Sequence, residues 1–360
     1  MATPNDIVAT SPSQDQRRER EDFYEDLAPL KLTPLWEVMH TLITPEPVSP
    51  AVPWHWRYDD LRPWLMRAGE IISAKEAERR VLILENPGLS GRSRITHTLY
   101  AGLQLILPGE VAPSLRHTQS ALRFIMEGEG AYTAVDGERA SMSRGDLILT
   151  PSWTWHDHGN ETDSPTVWLD GLDIPVAQFL DASFVERYPE DSQPVSRPSG
   201  DSAARFGRNM RPFDATDISD AGASPVFSYP YADYREALER MRTRDEWDSC
   251  HGLKMEFINP LSGAPVMPTI SAFVQLLPKG FESDPYRSTA GTIYCVVDGD
   301  GEAFVGDAAY TLQPRDMFVA PSWIPVRFTA AQDLVLFSFS DRGMQRKLGF
   351  WRERRDHPAE

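Results

Sequence analysis

Cysteine is scarce, basic charge is in deficit and no long apolar run occurs, and each lack removes a class of function. Two cysteines in 360 residues, Cys250 and Cys295, make neither a disulfide framework nor a cysteine-rich metal cluster. A reduced, cytoplasmic protein is therefore expected. Lys and Arg number 36 against 53 Asp and Glu, a formal charge of -17, which argues against an electrostatic hold on nucleic acid or an anionic membrane. No apolar stretch approaches the ~20 residues of a spanning helix. Residues 1–21 are polar and end in Arg17-Arg18-Glu19-Arg20-Glu21, so neither a secretory leader nor a membrane anchor is expected there. Proline is plentiful, at 30 residues beside 41% hydrophobic content, as in a globular chain rich in turns and strand ends.

The pattern along the chain divides it. Residues 1–20 read as a disordered tail on composition. Residues 21–78 read as a helical segment with breaks: Phe23, Leu27 and Leu30 at helical spacing, then Leu35 to Leu42 and Tyr58 to Ile72. Short strand-like runs bounded by Gly, Pro, Asn or Asp fill 79–180, and return in 261–345. Between them, 181–260 reads as a polar linker carrying a helix from Tyr231 to about Arg244, and 346–360 as a tail.

An internal repeat explains the two strand-rich regions. Leu107-Pro108 recurs as Leu277-Pro278, and Glu127-Gly128-Glu129-Gly130 as Asp298-Gly299-Asp300-Gly301. Arg144-Gly145-Asp146 is answered by Pro314-Arg315-Asp316, and Pro151-Ser152-Trp153 by Pro321-Ser322-Trp323. The offset is 170 residues at both ends and 171 in the middle. Two copies of one small barrel or jelly roll follow, in an all-β dominated chain with an N-terminal helical extension and a linking helical segment.

In the first copy Gly145, Pro151, Trp153, His156 and Asn160 spell G-x5-P-x-W-x2-H-x3-N. This resembles the second motif of the cupins, with Trp153 where that motif usually has Gly. The first cupin motif, G-x5-H-x-H, is met by Gly109 and His117, with Leu115 at its first histidine. Residues 115 and 117 share one face of a strand, into the barrel, where a histidine on an opposing strand completes a ligand set. Adding 170 to His117, His156 and His158 gives Arg287, Val326 and Phe328. The scaffold is repeated and the imidazoles are not, which points to function in the first barrel. His117 and His156 are the expected metal ligands, and the second barrel is expected to hold none. His40, His55, His97 and His251 are assigned to structure.

The stretches 99–113, 116–124, 127–137 and 151–160, with A-V-P-W-H-W (51–56), E-R-R (78–80) and D-G-L-D-I-P (170–175), resemble gentisate 1,2-dioxygenases. That bicupin group includes salicylate and 1-hydroxy-2-naphthoate dioxygenases. The resemblance implies a homotetramer with Fe(II) in the N-terminal cupin, acting with O2 on a small aromatic carboxylate. Gentisate would be opened between its carboxyl-bearing and adjacent hydroxyl-bearing carbons to maleylpyruvate. It implies Arg79 and Arg123 on the substrate carboxylate, Gln104 lining the pocket, and His158 on a ring hydroxyl as a catalytic proton carrier beside Arg123. Asp170 would orient a ligand or an arginine.

Family members carry H-R-H where this chain has Leu115-Arg116-His117, and leucine has no donor atom. Three readings stay open: a dioxygenase impaired by loss of a ligand, a working two-histidine site, or a bicupin that binds a small aromatic acid without chemistry.

Overall fold

The computed structural model describes residues 13–213, 222–244 and 246–356. Residues 1–12 of the expected tail, 214–221 and 245 of the linker, and 357–360 lie outside them. The chain forms two compact units, Met1–Val48 and Ser49–Glu360. In the first unit the helix Gln14–Leu27 is capped by Ser13, whose side chain accepts from the Gln16 amide while Gln16 reaches back to the Ser13 N–H. Residues 14–20, read as disordered on polarity, are thus helical. A second helix, Leu35–Leu42, is joined to the first through Trp36 Nε1, which donates to Tyr24 Oη at 2.9 Å.

The second unit holds both barrels. The first is built from a sheet ordered Leu147–Thr150, Ala121–Glu127, Thr166–Leu172, Tyr100–Ile106, Val81–Ile83, facing a sheet ordered Val111–His117, His156–Gly159, Glu129–Val135, Glu138–Ser143. The second barrel repeats the order with Met317–Ala320, Thr292–Asp298, Leu334–Ser340, Ser271–Leu277 and Leu253–Phe257. Both copies carry a bulge at the same place, between Val167 and Trp168 and between Val296 and Asp298. The strand Ala121–Glu127 is buried on both faces, which is why it reads as an almost continuous apolar run. Leu122, Phe124 and Met126 join the core between the barrels, where Phe124 stacks on Phe337 at 4.2 Å. Arg123 and Ile125 point the other way, into the first barrel.

The repeat is larger than its strands. Trp54–Trp56 adds an edge strand to the second barrel beside Met317–Ala320, and Ser228–Tyr229 adds one to the first barrel beside Leu147–Thr150. Each is followed by a helix, Tyr58–Ile71 or Tyr231–Arg242. The first N–H of each helix donates to the aspartate of the other barrel's repeated turn: Tyr58 to Asp316 at 3.0 Å and Tyr231 to Asp146 at 2.8 Å. The same tyrosines donate through their hydroxyls to Glu127 and Asp298, the paired acids of the EGEG and DGDG turns.

Segments expected as linker and tail also belong to the barrels. Val185–Arg187 pairs with Val111–His117, Leu253–Phe257 with Ser271–Leu277, and Glu353–Arg355 with Tyr286–Ser288. No helix among the described residues is long and apolar enough to cross a membrane.

Candidate functional site

Six of the expected site residues surround one cavity of about 210 Å³ in the first barrel: Gln104, His117, Arg123, His156 and Asp170 from strands, and Arg79 from the bend before Val81–Ile83. Asp170 faces Arg123 across the ladder, and Leu115 faces His156. Arg79 and Arg80 are neighbours with opposite fates. Arg79 turns into the cavity, donating to the carbonyls of Glu78 and Pro113, both at 2.8 Å. Arg80 turns away into an ion pair with Glu110 and serves the scaffold.

The cavity carries surplus positive charge. Arg123 Nε lies 3.6 Å from Asp170 Oδ1, and that carboxylate also accepts from Trp168 Nε1 at 3.0 Å. Arg123 further donates to Thr150 Oγ1. Burial pushes the Asp170 carboxyl up to about 6, although Arg123 and Arg79 pull it down. Burial, followed by repulsion from Arg123, lowers Arg79 to about 10, still charged at neutral pH. Two guanidiniums therefore face one carboxylate, leaving room for one more anion.

The histidines supply no charge. Burial and the nearby Arg123 push His117 down to about 4, and burial with the His117 and Arg123 neighbours holds His156 well below the usual range. The Nδ1 of His117 lies 2.9 Å from the Gln119 carbonyl, and that of His156 lies 3.1 Å from the Thr154 carbonyl. A carbonyl can only accept, so each Nδ1 carries the proton and each Nε2 keeps a free lone pair. His156 Nε2 is buried without a partner among the described residues. The rings meet edge to face with centroids 4.8 Å apart. Imidazoles fixed by a backbone acceptor at Nδ1 with Nε2 free have the arrangement of metal ligands. The side chains present thus fit a metal at two positions. Leu115 is 6% exposed and offers nothing at a third, and among the described residues no group of three or more His, Cys, Asp or Glu is placed to hold an ion.

His158 is not on the cavity wall. It is fully buried behind His156, with Nδ1 2.9 Å from Thr133 Oγ1 and its ring beside Trp168. Direct contact with a ring hydroxyl, expected from the resemblance, does not match this position. Tyr100, Leu172 and Ile174 line the cavity and were not singled out. Tyr100 shares the strand parity of Gln104, a signal already in the sequence.

The second barrel needs one correction. Tyr286 faces Val326 as Leu115 faces His156, and Trp323 N donates to the Ser288 carbonyl as Trp153 N does to that of His117. The counterpart of His117 is Ser288, not Arg287. The one-residue slip lies before this strand and leaves the absence of imidazoles unchanged. Trp153 and Trp323 both sit at φ 65°, a left-handed conformation that favours glycine. Trp153 is held there by Phe184, 4.6 Å away, and by the Arg116 guanidinium at 4.6 Å.

A family model described as Cupin domain matches residues 102–172. The chain is 55% identical to gentisate 1,2 dioxygenase 1 of Aquipseudomonas alcaligenes over 94% of its own length and 97% of the relative's. The chain belongs to the gentisate 1,2-dioxygenase family. A 5-aminosalicylate 1,2-dioxygenase of a Comamonas species is 36% identical over 92% of this chain and 89% of the relative. Among solved structures, salicylate 1,2-dioxygenase of Pseudoaminobacter salicylatoxidans with gentisate superposes with a TM-score of 0.89 at 33% identity, covering 97% of each chain. The family is one of non-haem iron, ring-cleaving dioxygenases with the bicupin fold, and this chain is an enzyme of that type.

Proposed function

We propose that this chain opens the ring of gentisate or a closely related hydroxybenzoate with O2, giving maleylpyruvate from gentisate, at Fe(II) held by His117 and His156. The observation that carries this reading is the pairing, in one cavity, of a cationic surplus with two uncharged imidazoles whose Nε2 lone pairs are free.

Arg79 and Arg123 bind the substrate carboxylate, the one anion that balances the cavity. Asp170 holds the Arg123 fork and limits the surplus to a single charge. Gln104 offers an amide to a ring hydroxyl. Leu172 and Ile174 cover the ring and exclude water. His158, behind the wall, anchors the His156 side through packing and is an uncharged imidazole whose Nε2 has no partner among the described residues. Bound iron supplies open positions for a chelating substrate and the redox chemistry that makes O2 reactive.

Protein loaded anaerobically with Fe(II), desalted and mixed with gentisate and O2 should retain iron and develop maleylpyruvate absorbance. Iron-free protein that yields no product after such loading would end the enzymatic reading. Leu115 favours a second one, a bicupin that binds a small aromatic acid without turning it over. It predicts gentisate binding by calorimetry with no oxygen uptake. A homotetramer is part of the proposal. It is supported by the helix Leu35–Leu42, which exposes Leu35, Trp36, Met39 and Leu42, and light scattering of the purified chain reads it directly.

A further inference from the structure

The second barrel has lost the imidazoles but not the cavity. At the place corresponding to the catalytic pocket lies a space of about 260 Å³, against about 210 Å³ in the first barrel. Its walls have been rebuilt. Lys254 pairs with Gln275 as Val81 pairs with Gln104, so a lysine stands where the first barrel has valine. Tyr294 takes the place of Arg123, and Tyr286 that of Leu115.

The Lys254 ammonium is the unexplained group. It lies 5.0 Å from the centroid of Phe273 and 5.9 Å from that of Tyr294, over two aromatic faces inside the cavity. Among the described residues no carboxylate or carbonyl forms an ion pair or hydrogen bond with it. The nearby cation Arg342 is already engaged, with Glu256 at 3.6 Å and the Trp351 ring at 4.8 Å. Glu353, on the opposite wall, accepts from the Tyr286 hydroxyl at 2.9 Å. Arg355 at the same wall is paired with Asp248 at 2.6 Å. Lys254 is thus the cation of this aromatic-walled space that meets no carboxylate at ion-pair distance among the described residues, although Asp248 and Glu256 attract it from further off. On the same face of the strand as Phe273, Gln275 is fully buried with neither amide atom partnered, a second polar group without a mate. A half-buried ammonium with no contacting counter-ion costs stability, and a bound anion offsets that cost.

We propose that the second barrel is a separate, metal-independent binding site for a small planar monocarboxylate, whose carboxylate pairs with Lys254 and whose plane lies among Phe273, Tyr286 and Tyr294. An ammonium with no carboxylate in contact favours an anionic group beside it, the rings select a flat body, and the volume admits a molecule of the size class that fits the first barrel. The inference is independent of iron and of turnover.

The test is calorimetry of the full, metal-free chain with benzoate, alongside crystals of the same chain soaked in 4-bromobenzoate. Two sites are expected per chain. Lys254→Met should remove one of them, lowering its affinity at least about tenfold, as loss of a charge-assisted contact implies, while Lys254→Arg retains it. Arg79→Met should remove the other site and leave this one. Benzamide, neutral and of the same shape, should bind the second site at least about tenfold more weakly than benzoate. Bromine density in the second barrel of the unaltered chain supports the proposal even where a variant fails to fold. A single site that survives Lys254→Met, or bromine in the first barrel alone, overturns it and leaves the catalytic reading standing. Equal displacement by chloride at the same concentration would show a site for any small anion and overturn the planar selectivity.

Discussion

Leu115 lies opposite His156 in the ladder, on the strand that ends two residues later at His117. A leucine thus occupies the corner of the cavity from which a third donor would complete the two imidazoles. Leu115→His is expected to raise retained iron on the order of 10- to 100-fold, since even an outer-shell partner of a ligand is worth that much. Iron content after anaerobic loading and desalting measures it, with gentisate-dependent oxygen uptake rising in parallel. Unchanged iron retention would mean that the two-histidine set is complete as it stands.

Among the described residues Arg79 has no carboxylate partner at hydrogen-bonding distance; its donors go to backbone carbonyls. It should act on binding more than on turnover. Arg79→Met is expected to raise KM for gentisate roughly tenfold or more, the worth of one charge-assisted contact, with a smaller change in kcat. A steady-state series with fold monitored by circular dichroism distinguishes this from general damage.

Asp170 makes substrate affinity sensitive to pH. Its carboxyl, held near 6, is neutral below that value, which leaves two uncompensated arginines, and ionised above it, which leaves one. The histidines stay uncharged through this range because burial depresses them. Benzoate affinity at the first barrel should therefore fall as pH rises through about 6, by on the order of three- to tenfold for one added charge nearby. In Asp170→Asn the profile should be flat and the affinity at pH 7.5 should match the acid limb.

Lys254 should weaken the fold that carries it. Burial, then repulsion from Arg342, lowers its ammonium from 10.5 to about 8. The unfolded chain binds this proton more tightly, so unfolding takes up a proton between pH 8 and 10.5 and stability rises with pH across that window. Below pH 8 the full cost is present. Lys254→Met is expected to stabilise the chain at pH 7 by about 1–2 kcal/mol, since the side chain keeps some access to the cavity, with the advantage vanishing near pH 10.5. Denaturant titrations at pH 7 and 10.5 read the difference.

Much of this was legible in the sequence, for definable reasons. The turns repeated at an almost constant offset, and the apolar runs at 122–126 and 131–135 mark strands because both of their faces are buried, while 81–84 is an edge strand that leaves Leu82 and Ile83 exposed. Parity pointed to Gln104, and the family resemblance to Arg123 and Asp170, which the strands bring to the same cavity. His158 obeys the same parity yet lies a layer deeper, because depth along a barrel axis is not written in alternation. The slip that gives Ser288 rather than Arg287 was invisible, since no motif marks where within a loop a residue is lost. The second cavity is marked by no repeated motif, since Lys254 stands at a position held by Val81 in the first copy.

The exchanged edge strands also constrain how the chain can be made. The first barrel does not gain its edge strand Ser228–Tyr229 until well after Thr166–Leu172 and Val185–Arg187 have left the ribosome. The segment Trp54–Trp56, synthesised early, has no partner strand until Met317–Ala320 emerges. Folding from the N-terminus during synthesis therefore leaves Trp54–Trp56 unpaired until nearly the whole second barrel has followed. A gene cut between the two repeats should yield halves that are insoluble apart and recoverable when co-expressed.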